Sequence, residues 1–558
     1  MSKKITRREF NRRTAFAVSG VLLGCNVQNR FDTILRGGTI IDGSGNPGIL
    51  SDLGIKGHQI AAIGDLNGAT ADRIIDVSAK VVTPGFIDIH THTDTQLLVD
   101  PRGLSKLMQG VTTEVGGNCG SSEFPLNQQD QAESDTYLYQ KYGIHCDWND
   151  IASFLERLET KKISLNYLTF TGHGNLRAFV IGKNDIAPDT GQLNTMKRIL
   201  AATMEAGSFG LTTGLEYAPG SYARTDELIE LCRVVSARQG VYATHMRNED
   251  DTVEEAIDEA LTICRKAHVS TQISHLKACN PANWYKIDKI LANLESVAHK
   301  GLPVRADRYP YIAYGTGLGT FLPLWARQGE RSEVIARLQN KELQPEIEAY
   351  SISRGTRIGG WDRVMISSCQ TEENKWCEGK SIKECAGENA KSPFNFIKDL
   401  LIQEEMRVGM VGFAMDEENL KKVLQSDLVM IGSDGNAISP EGKLGEGKPH
   451  PRYYGTFPRV LGKYSREEHC FDLPVAVKKM TSMPAEKLGL AYRGLLRENY
   501  FADIVVFDPA EIIDRATFVH PHQFPAGIAF VIVNGKIAVE NNRHTGALSG
   551  VVIRHAAA

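Results

Sequence analysis

The chain has 558 residues, of which 42% are hydrophobic and 23% are charged, and its formal net charge is −4 at pH 7. This length suits one large domain with a smaller companion, and the apolar content is that of a globular protein, which excludes a largely disordered chain. A slightly acidic chain without a basic stripe argues against a nucleic-acid partner.

The first 25 residues have the features of an export signal. Arg7 and Arg8 precede an apolar stretch, 14–24, that is too short to span a bilayer. The arginine pair resembles a twin-arginine signal, and "LLGC" resembles a lipoprotein cleavage site that ends in Cys25. We therefore expect 1–25 to be a signal segment, with export to the periplasm and a lipid anchor at Cys25 as the only membrane contact.

Both ends of the mature chain have the texture of short strands. Residues 31–82 contain apolar runs broken by Gly and Asp turns, such as "FDTILRGGTIIDG". The same texture returns within 481–558, in "ADIVVFDP" and "VIVNGKIAVE". The two segments predict the two halves of one small β-sandwich domain formed by both chain ends.

Between these halves, 83–480 alternates apolar strand-like runs with amphipathic helical stretches such as "VEEAIDEALTICRKAH". The alternation predicts an α/β fold, namely a (β/α)8 TIM-like barrel. The eight predicted strands end near His90, Cys119, Thr171, Thr213, His245, His275, Tyr309 and Asp434. The gap between the last two strands is far longer than a connection needs, so we expect an insertion at about 325–425, before the last strand.

Side chains that bind metals stand at five of these predicted strand ends. In "GFIDIHTHTD" two histidines are two residues apart, so on a strand both point to one side. The carboxyl ends of barrel strands form one functional face, and imidazole, thiolate and carboxylate are ligands of zinc. Singly, each residue has an ordinary explanation, such as a buried thiol or a helix cap. Jointly they predict a metal site of His90, His92, Cys119, His245, His275 and Asp434.

These motifs resemble the D-aminoacylase (N-acyl-D-amino-acid deacylase) family of the amidohydrolase superfamily. The resemblance extends from Phe31 to the C-terminus and includes "GVTTEVGGNCG", "GLTTGLEYAPGSYA", "THMRNE", "SHLK", "GSDG" and "HPRYYGTFPRVLGKY". Many amidohydrolases bridge two metals with a carbamylated lysine on the fourth strand, but here "GLTTGLEY" offers no lysine.

The resemblance implies zinc-dependent hydrolysis of N-acyl-D-amino acids. It implies one tight zinc site at Cys119, His245 and His275, and a second, weaker site near His90 and His92 whose occupancy it leaves open. It also implies that Asp434 is the catalytic residue, a general base that takes a proton from a metal-bound water.

A substrate of this class carries an α-carboxylate, for which the pocket needs a cation. Arg452 in "HPRYYG" is the first candidate, because a guanidinium binds a carboxylate through two parallel hydrogen bonds. Tyr309 in "DRYPY" offers a further donor, and Lys277 lies close to a strand end. A surface ion pair for Arg452 and a solvated position for Lys277 are the structural alternatives.

Two other functions stay open at this stage. One is a cyclic-amide hydrolase of the dihydropyrimidinase or dihydroorotase type, and the other is a non-catalytic, lipid-anchored barrel protein. The sequence does not assign the preferred side chain or acyl group, the number of metals or the oligomeric state. A disulfide among Cys369, Cys377 and Cys385 is also left open.

Overall fold

The computed structural model describes residues 30–556. The predicted signal segment, 1–25, with its twin arginines and Cys25, lies outside the described residues. No helix within the described part of the chain is long and apolar enough to cross a membrane.

The described chain contains 21 strands. They are β1 (Arg30–Ile40), β2 (Ile49–Lys56), β3 (Gln59–Gly64), β4 (Thr70–Asp76), β5 (Val81–Pro84), β6 (Phe86–Asp88), β7 (Val111–Gly116), β8 (Asn166–Thr169), β9 (Thr171–Gly172), β10 (Gly210–Gly214), β11 (Val241–His245), β12 (Ser270–Ile273), β13 (Val304–Arg308), β14 (Tyr314–Gly317), β15 (Val364–Ser368), β16 (Gly409–Gly412), β17 (Val429–Ile431), β18 (Ile504–Phe507), β19 (Ile528–Val533), β20 (Lys536–Glu540) and β21 (Arg543–His544).

The two chain ends form one sheet of nine strands, in the order β21-β20-β19-β18-β5-β1-β2-β3, with β4 paired to β1. Strand β5 joins the halves, because it pairs in parallel with β1 and antiparallel with β18, where Val82 lies opposite Val506. Leu53 and Ile55 from the first half share a buried core with Ile504 from the second. The small domain therefore depends on both ends of the chain.

Eight parallel strands form the predicted barrel: β6, β7, β8 with β9, β10, β11, β12, β13 and β17. Strands β8 and β9 are one run interrupted at Phe170, whose N–H donates to the Gly116 carbonyl at 3.1 Å. The last strand meets the first through a parallel bridge between Thr91 and Gly435. The (β/α)8 prediction is confirmed, and the carboxyl ends of all eight strands lie on one face.

Amphipathic helices connect the barrel strands. In Val253–Ala267, for example, Ile257, Leu261 and Cys264 are buried at three-to-four spacing, and Glu254 and Glu255 lie in the first turn. Within residues 30–556 the α-helices are Gln96–Val99, Leu104–Leu107, Gln128–Tyr142, Ile151–Lys161, His173–Val180, Thr190–Glu205, Thr225–Ala237, Val253–Ala267, Ile287–His299, Arg331–Gln339, Gln344–Arg357, Ile382–Glu388, Pro393–Gln403, Glu417–Gln425, Arg452–Arg459, Leu473–Met480 and Ser482–Leu488, and Val460–Glu467 is a π-helix.

The segment between β13 and β17 forms an insertion subdomain with its own sheet and core. Its antiparallel strands have the order β14-β16-β15, and residues such as Phe321, Ile366 and Leu401 are buried together. The subdomain begins with β14, earlier than the predicted boundary near residue 325, because β14 pairs with β16 from the far end of the segment. The helix Glu417–Gln425 then returns the chain to the barrel.

The nine cysteines of the described residues are free thiols, and seven of them are buried. Cys369 and Cys377 approach most closely in the candidate cluster, with 3.6 Å between their Sγ atoms, and Cys385 Sγ lies 3.9 Å from the carbonyl oxygen of Cys377. These three residues therefore act as small apolar side chains in the core of the insertion subdomain.

Candidate metal centre and active site

One group of possible metal ligands lies where the first and last barrel strands meet. The ligand atoms of His90, His92, Cys119 and Asp434 lie within 4.8 Å of one another. Within this group, His92 Nε2 is 3.0 Å from Asp434 Oδ1, and His90 Nε2 is 3.3 Å from Cys119 Sγ. The motif spacing of the two histidines thus places both imidazoles on one cluster.

A second group shares the cysteine. The ligand atoms of Cys119, His245 and His275 also lie within 4.8 Å of one another, with 3.6 Å between Cys119 Sγ and His275 Nε2. Cys119 therefore stands between the two groups. All six residues that the sequence predicts as metal ligands are brought together by the barrel.

Three of these residues hold an unusual backbone conformation. Cys119, His275 and Asp434 have φ values of 51°, 38° and 50°, in the left-handed region that non-glycine residues seldom adopt. Such strain persists where the surrounding structure enforces it, and it is common at functional sites. Here it turns each side chain toward the cluster just after a strand has ended.

Buried carboxylates orient the imidazoles. Asp307 Oδ1 lies 3.1 Å from His90 Nδ1 and accepts the backbone N–H of His275 at 2.8 Å. Glu249 Oε1 lies 2.9 Å from His275 Nδ1. Carboxylates in this position fix the ring orientation and tautomer of metal-binding histidines. The sequence analysis missed both carboxylates as functional residues, although they lie inside the "DRYPY" and "THMRNE" motifs.

Glu216, which follows the fourth barrel strand, is a further carboxylate at the site that the sequence analysis missed. Its Oε2 lies 3.4 Å from His245 Nε2, and its Oε1 lies 3.2 Å from Arg354 Nη2 in the insertion subdomain. Burial alone raises the pKa of Glu216, but the His245 hydrogen bond and the Arg354 charge bring this pKa down to about 2. The insertion thus contacts the metal centre through an ion pair.

The electrostatics of the cluster favour a cation. Burial opposes the thiolate of Cys119, but His90 and the neighbouring imidazoles hold the pKa of this thiol well below its ordinary value. Burial likewise opposes charging of His245, yet Glu249 and Cys119 raise the pKa of this imidazole to about 10. A thiolate among several imidazoles, with carboxylates behind them, is a donor set that suits zinc.

Asp434 is held ionised at the edge of the cluster. Burial alone raises its pKa, but the Arg452 guanidinium, with Nη1 at 3.1 Å from Oδ2, and His90 hold the pKa well below the ordinary range. The carboxylate is therefore available as a proton acceptor, and it lies in contact with the histidines predicted to bind the metal.

Arg452 is not the surface ion pair that the sequence left open, since it is only 2% exposed. Its guanidinium carbon lies 4.6 Å from the centre of the Tyr309 ring. The Arg452 Nε and the Tyr309 hydroxyl are buried without a hydrogen-bond partner among the described residues. Unsatisfied buried donors are costly, so two of them beside an open cavity indicate a binding site for an acceptor.

Lys277 is not solvated either. It is 5% exposed, and its Nζ lies 2.5 Å from Glu249 Oε1 and 2.9 Å from His275 Nδ1. Burial alone lowers its pKa, but the Glu249 charge raises it above the ordinary value. Lys277 is thus a permanent cation beside the metal centre.

A buried network supports the loop that carries Asp434. Lys106 Nζ, which is fully buried, lies 2.9 Å from Asp88 Oδ2, 2.5 Å from Ser433 Oγ and 3.0 Å from the Gly435 carbonyl. The Ser433 N–H donates to Asp88 Oδ1 at 2.8 Å. These contacts fix the residues on both sides of Asp434 to the first barrel strand.

The cluster opens into a cavity of about 1010 Å³ between the barrel mouth and the insertion subdomain. His92, Cys119, His245, His275 and Asp434 line its inner part, together with Lys277, Tyr309 and Arg452. A cavity of this size, with convergent polar groups at its base, has the character of a small-molecule site.

Comparisons with known proteins agree with this architecture. The family model described as "Amidohydrolase family" matches residues 73–539. The chain is 37% identical to D-aminoacylase of Alcaligenes xylosoxydans over 95% of this chain and 98% of that protein. It is 36% identical to N-acyl-D-glutamate deacylase of the same organism, over 91% and 94%. The crystal structure of N-acyl-D-glutamate deacylase from Bordetella bronchiseptica, complexed with zinc and a phosphonate inhibitor, superposes with a TM-score of 0.79 at 33% identity, covering 94% and 100%.

A parallel (β/α)8 barrel with metal-ligand side chains at its strand ends and a small sheet domain beside it defines a metal-dependent amidohydrolase. The chain belongs to the amidohydrolase family, in the group that contains the D-aminoacylases.

Proposed function

We propose that this enzyme hydrolyses the amide bond of N-acyl-D-amino acids with zinc, releasing a carboxylate and the free D-amino acid. The observation that carries the proposal is the shared cluster: Cys119 with His245 and His275 on one side, and Asp434 beside Arg452 on the other. The relatives named as deacylases of N-acyl-D-amino acids support the substrate class.

Cys119, His245 and His275 would hold the tight zinc, and His90 and His92 would contribute to a second, weaker site. When bound, zinc lowers the pKa of a coordinated water and polarises the substrate carbonyl. The residues fit this ion because thiolate and imidazole nitrogen are its preferred donors and all the ligand atoms of the tight group converge.

Asp434 would transfer the proton. Its carboxylate is ionised, and its Oδ1 lies 3.0 Å from His92 Nε2 and 3.6 Å from His90 Nε2, among the predicted metal ligands. It takes the proton of the attacking water and then delivers it to the leaving nitrogen, which departs as a neutral amine.

Arg452 and Tyr309 would bind the α-carboxylate through their unpaired donors, with Lys277 as a nearby positive charge. The metal centre would hold the amide group, and Arg452 and Tyr309 would hold the α-carboxylate. The cavity walls would then restrict the position of the side chain. A chiral substrate held at three points is distinguished from its mirror image. Because the relatives are named as deacylases of D-amino acid derivatives, we expect the D configuration to be preferred.

The fourth barrel strand, β10, carries no lysine that could form a bridging carbamate. This feature favours a linear amide over the cyclic amides of the dihydropyrimidinase type as the substrate.

The test is a panel of N-acetyl-D-amino acids and their L enantiomers with the zinc-loaded enzyme, measured by release of free amino acid. We expect turnover of at least one D substrate, with its L enantiomer at least about tenfold slower. Equal or faster turnover of the L forms contradicts the stereochemical proposal, and failure to hydrolyse any linear amide contradicts the proposed reaction.

We also propose that the enzyme is exported by the twin-arginine route and anchored through Cys25, on the evidence of the signal motifs. Cell fractionation of the full chain tests this location. Replacing Arg7 and Arg8 by lysine should retain the protein in the cytoplasm, and Cys25→Ser should release it from the membrane fraction. Unchanged distribution of either variant contradicts the corresponding part.

A further inference from the structure

His450 is a buried histidine beside Arg452 that the proposed reaction does not use. It is 2% exposed and stands two residues before Arg452, the first residue of the helix Arg452–Arg459. Both of its ring nitrogens have partners, because Nε2 lies 2.9 Å from the carbonyl oxygen of Ala313 and Nδ1 lies 3.0 Å from the backbone nitrogen of Arg452. The imidazole therefore connects Arg452 to the residue that leads into β14 of the insertion subdomain.

The two partners of His450 fix which of its nitrogens carries the proton. A carbonyl oxygen can only accept, so Nε2–H donates to Ala313 and Nδ1 accepts the backbone N–H of Arg452. Burial and the Arg452 charge hold the pKa of the His450 imidazole well below its ordinary value. The ring is thus neutral, with one donor and one acceptor, and both are used.

The hydrogen bond at Nδ1 satisfies a donor that the helix cannot satisfy itself. The first N–H groups of a helix have no acceptor within the helix, and Arg452 supplies the first of them. The next two, from Tyr453 and Tyr454, donate to the carbonyls of His450 and Pro451 at 3.1 Å and 3.0 Å. The backbone position of Arg452 is therefore set by the His450 ring.

Aromatic side chains hold the His450 ring in place. The ring centres of Tyr309, Tyr311 and Phe518 lie 6.0 Å, 5.2 Å and 5.0 Å from the centre of the imidazole, at interplanar angles of 64°, 83° and 77°. Edge-to-face contacts of this kind are favourable and restrict the rotation of a ring. Tyr309 is also proposed to bind the α-carboxylate, so His450 contacts both Arg452 and its partner in that site.

The strand that His450 holds through Ala313 forms a wall of the same site. Gly315, in β14, lines the cavity. A Cβ atom at Gly315 would lie 3.6 Å from Arg452 Nη2 and 3.8 Å from His450 Cβ, so the absence of a side chain leaves space beside the guanidinium. One imidazole thus holds both the arginine and the strand that passes it.

We propose that His450 is a positioning residue for the α-carboxylate site, because its Nδ1 holds the backbone of Arg452 and its Nε2–H holds the strand that passes the guanidinium. The inference rests on the proposed function and adds a residue that acts through Arg452. Without the imidazole, Arg452 is free to shift relative to Tyr309. The α-carboxylate should then bind more weakly, while the chemistry at the metal centre continues.

The experiment measures kcat and KM of the zinc-loaded enzyme for N-acetyl-D-leucine and for N-(3-methylbutyl)acetamide, which is the same amide without its carboxylate. His450→Leu removes both hydrogen bonds. His450→Asn places an acceptor oxygen near the Nδ1 position and retains the bond to Arg452. His450→Gln reaches the Nε2 position and retains only the bond to Ala313, and it replaces the leucine variant if that variant does not fold.

His522→Leu is the matched control. His522 makes the same two kinds of hydrogen bond as His450, since its Nδ1 lies 3.0 Å from the hydroxyl of Tyr454 on the same helix and its Nε2 lies 3.2 Å from the Gly447 carbonyl oxygen. Its partners do not include Arg452, so the control reports the general effect of removing a hydrogen-bonded histidine from this region.

We expect His450→Leu to raise KM for N-acetyl-D-leucine by at least about fivefold with kcat within about threefold, because the Arg452 N–H loses its acceptor. For the amide without a carboxylate, kcat/KM should stay within about twofold. His450→Asn should recover most of the rise in KM, and the control should leave both substrates within about twofold of wild type. Equal losses on both substrates, no recovery in His450→Asn, or the same rise in the control overturns the positioning role.

Calorimetric binding separates this inference from the proposed reaction. N-acetyl-D-leucine is titrated into zinc-loaded Asp434→Asn enzyme, with and without His450→Leu. Weaker binding after the second substitution supports the positioning role even where the wild-type enzyme hydrolyses no linear amide. Unchanged binding overturns the positioning role, and the proposed function still stands where the wild-type enzyme hydrolyses N-acetyl-D-leucine.

Discussion

At the scale of single residues, the site depends on the pairing of Asp434 with Arg452. The guanidinium keeps the carboxylate charged, and it also keeps unpaired donors beside the cavity. One arginine thus serves both the base and the α-carboxylate of the proposed substrate. Both residues are nearly buried, so neither contact is weakened by water as a surface ion pair is.

The substitution Asp434→Asn tests the base. Asparagine has nearly the same shape but cannot accept the proton of water, so we expect kcat/KM to fall by about 10²- to 10⁴-fold. Zinc at the site of Cys119, His245 and His275 should be retained, because none of these ligands changes. Kinetics and metal analysis check the two parts.

Asp427→Asn is the matched control, because Asp427 is exposed and precedes β17, whereas Asp434 follows it at the active face. Near-normal activity of Asp434→Asn excludes this residue as the base.

The substitution Arg452→Met tests the carboxylate site. Loss of charge-assisted hydrogen bonds worth about 1.5–3 kcal/mol should lower kcat/KM for an N-acetyl-D-amino acid by about 10- to 150-fold. Arg452→Lys should recover part of the loss, since it restores the charge without the bidentate geometry. Michaelis kinetics with an N-acyl amine that lacks the carboxylate provides the comparison.

If the Arg452→Met enzyme loses as much kcat/KM for the substrate without a carboxylate as for the N-acetyl-D-amino acid, Arg452 acts through Asp434 and not through the substrate carboxylate.

At the scale of elements, the ends of β6, β7 and β17 are connected by buried charges. Lys106 Nζ contacts Asp88 from β6 and lies 3.5 Å from Glu114 Oε1 on β7, and Glu114 accepts the Thr93 hydroxyl at 3.0 Å. Two carboxylates share one ammonium in a water-free layer. Burial, and then repulsion from Asp88, outweigh Lys106 and raise the pKa of Glu114 to about 7.

The stability of the enzyme should therefore depend on Glu114 between pH 4.5 and 7. The folded state binds a proton there that the unfolded state has lost, so this group's contribution to stability falls as pH rises through that interval. Glu114→Gln retains the shape of the protonated acid, and because glutamine does not titrate, its contribution to stability does not fall as pH rises. The free energy of unfolding of the variant minus that of the wild type should be greater at pH 8 than at pH 5, by up to roughly 3 kcal/mol.

Denaturant unfolding at the two pH values measures this difference, with Glu133→Gln at the cavity rim as the control. A difference between variant and wild type that does not change with pH contradicts the raised pKa of Glu114.

At the scale of the whole molecule, the barrel and the insertion subdomain enclose the site, and the sheet domain packs against the barrel away from the cavity. The sheet of both chain ends lies against the barrel, and the insertion subdomain reaches the metal centre through Arg354 and Glu216. The small domain needs both ends of the chain, because β5 pairs with β18, which lies about 420 residues later in the sequence. Because β5 leads directly into β6, the first barrel strand, the position of β6 depends on the C-terminal strand β18.

A chain that ends at residue 500 should not fold. It lacks Ile504, Val505, Val506 and Phe507, which are all fully buried in β18. At about 1.5–3 kcal/mol for each side chain, their loss approaches the whole stability of a typical domain. Soluble expression and thermal unfolding check this expectation, and a chain ending at His555 is the control. A cooperative unfolding transition in the shorter chain contradicts it.

The sequence by itself determined the features that are encoded locally. Period-two and three-to-four apolar patterns predicted the strands and helices of the barrel, because each element must bury one face. The His90 and His92 spacing, and ligand-type residues at strand ends, predicted which side chains share a cluster, because parallel strands of a barrel end on one face. The same motifs indicated the family.

Only the tertiary structure decided which distant groups support that cluster. The contact of His90 with Asp307, of Lys106 with Ser433 and of Glu216 with Arg354 joins residues far apart in the chain, and no local pattern marks such pairs. The burial of Arg452 and Lys277 and the start of the insertion at β14 also depend on long-range packing. The physical reason is that charge and hydrogen-bond partners are chosen by proximity in the fold, whereas periodicity reports only which face of an element is buried.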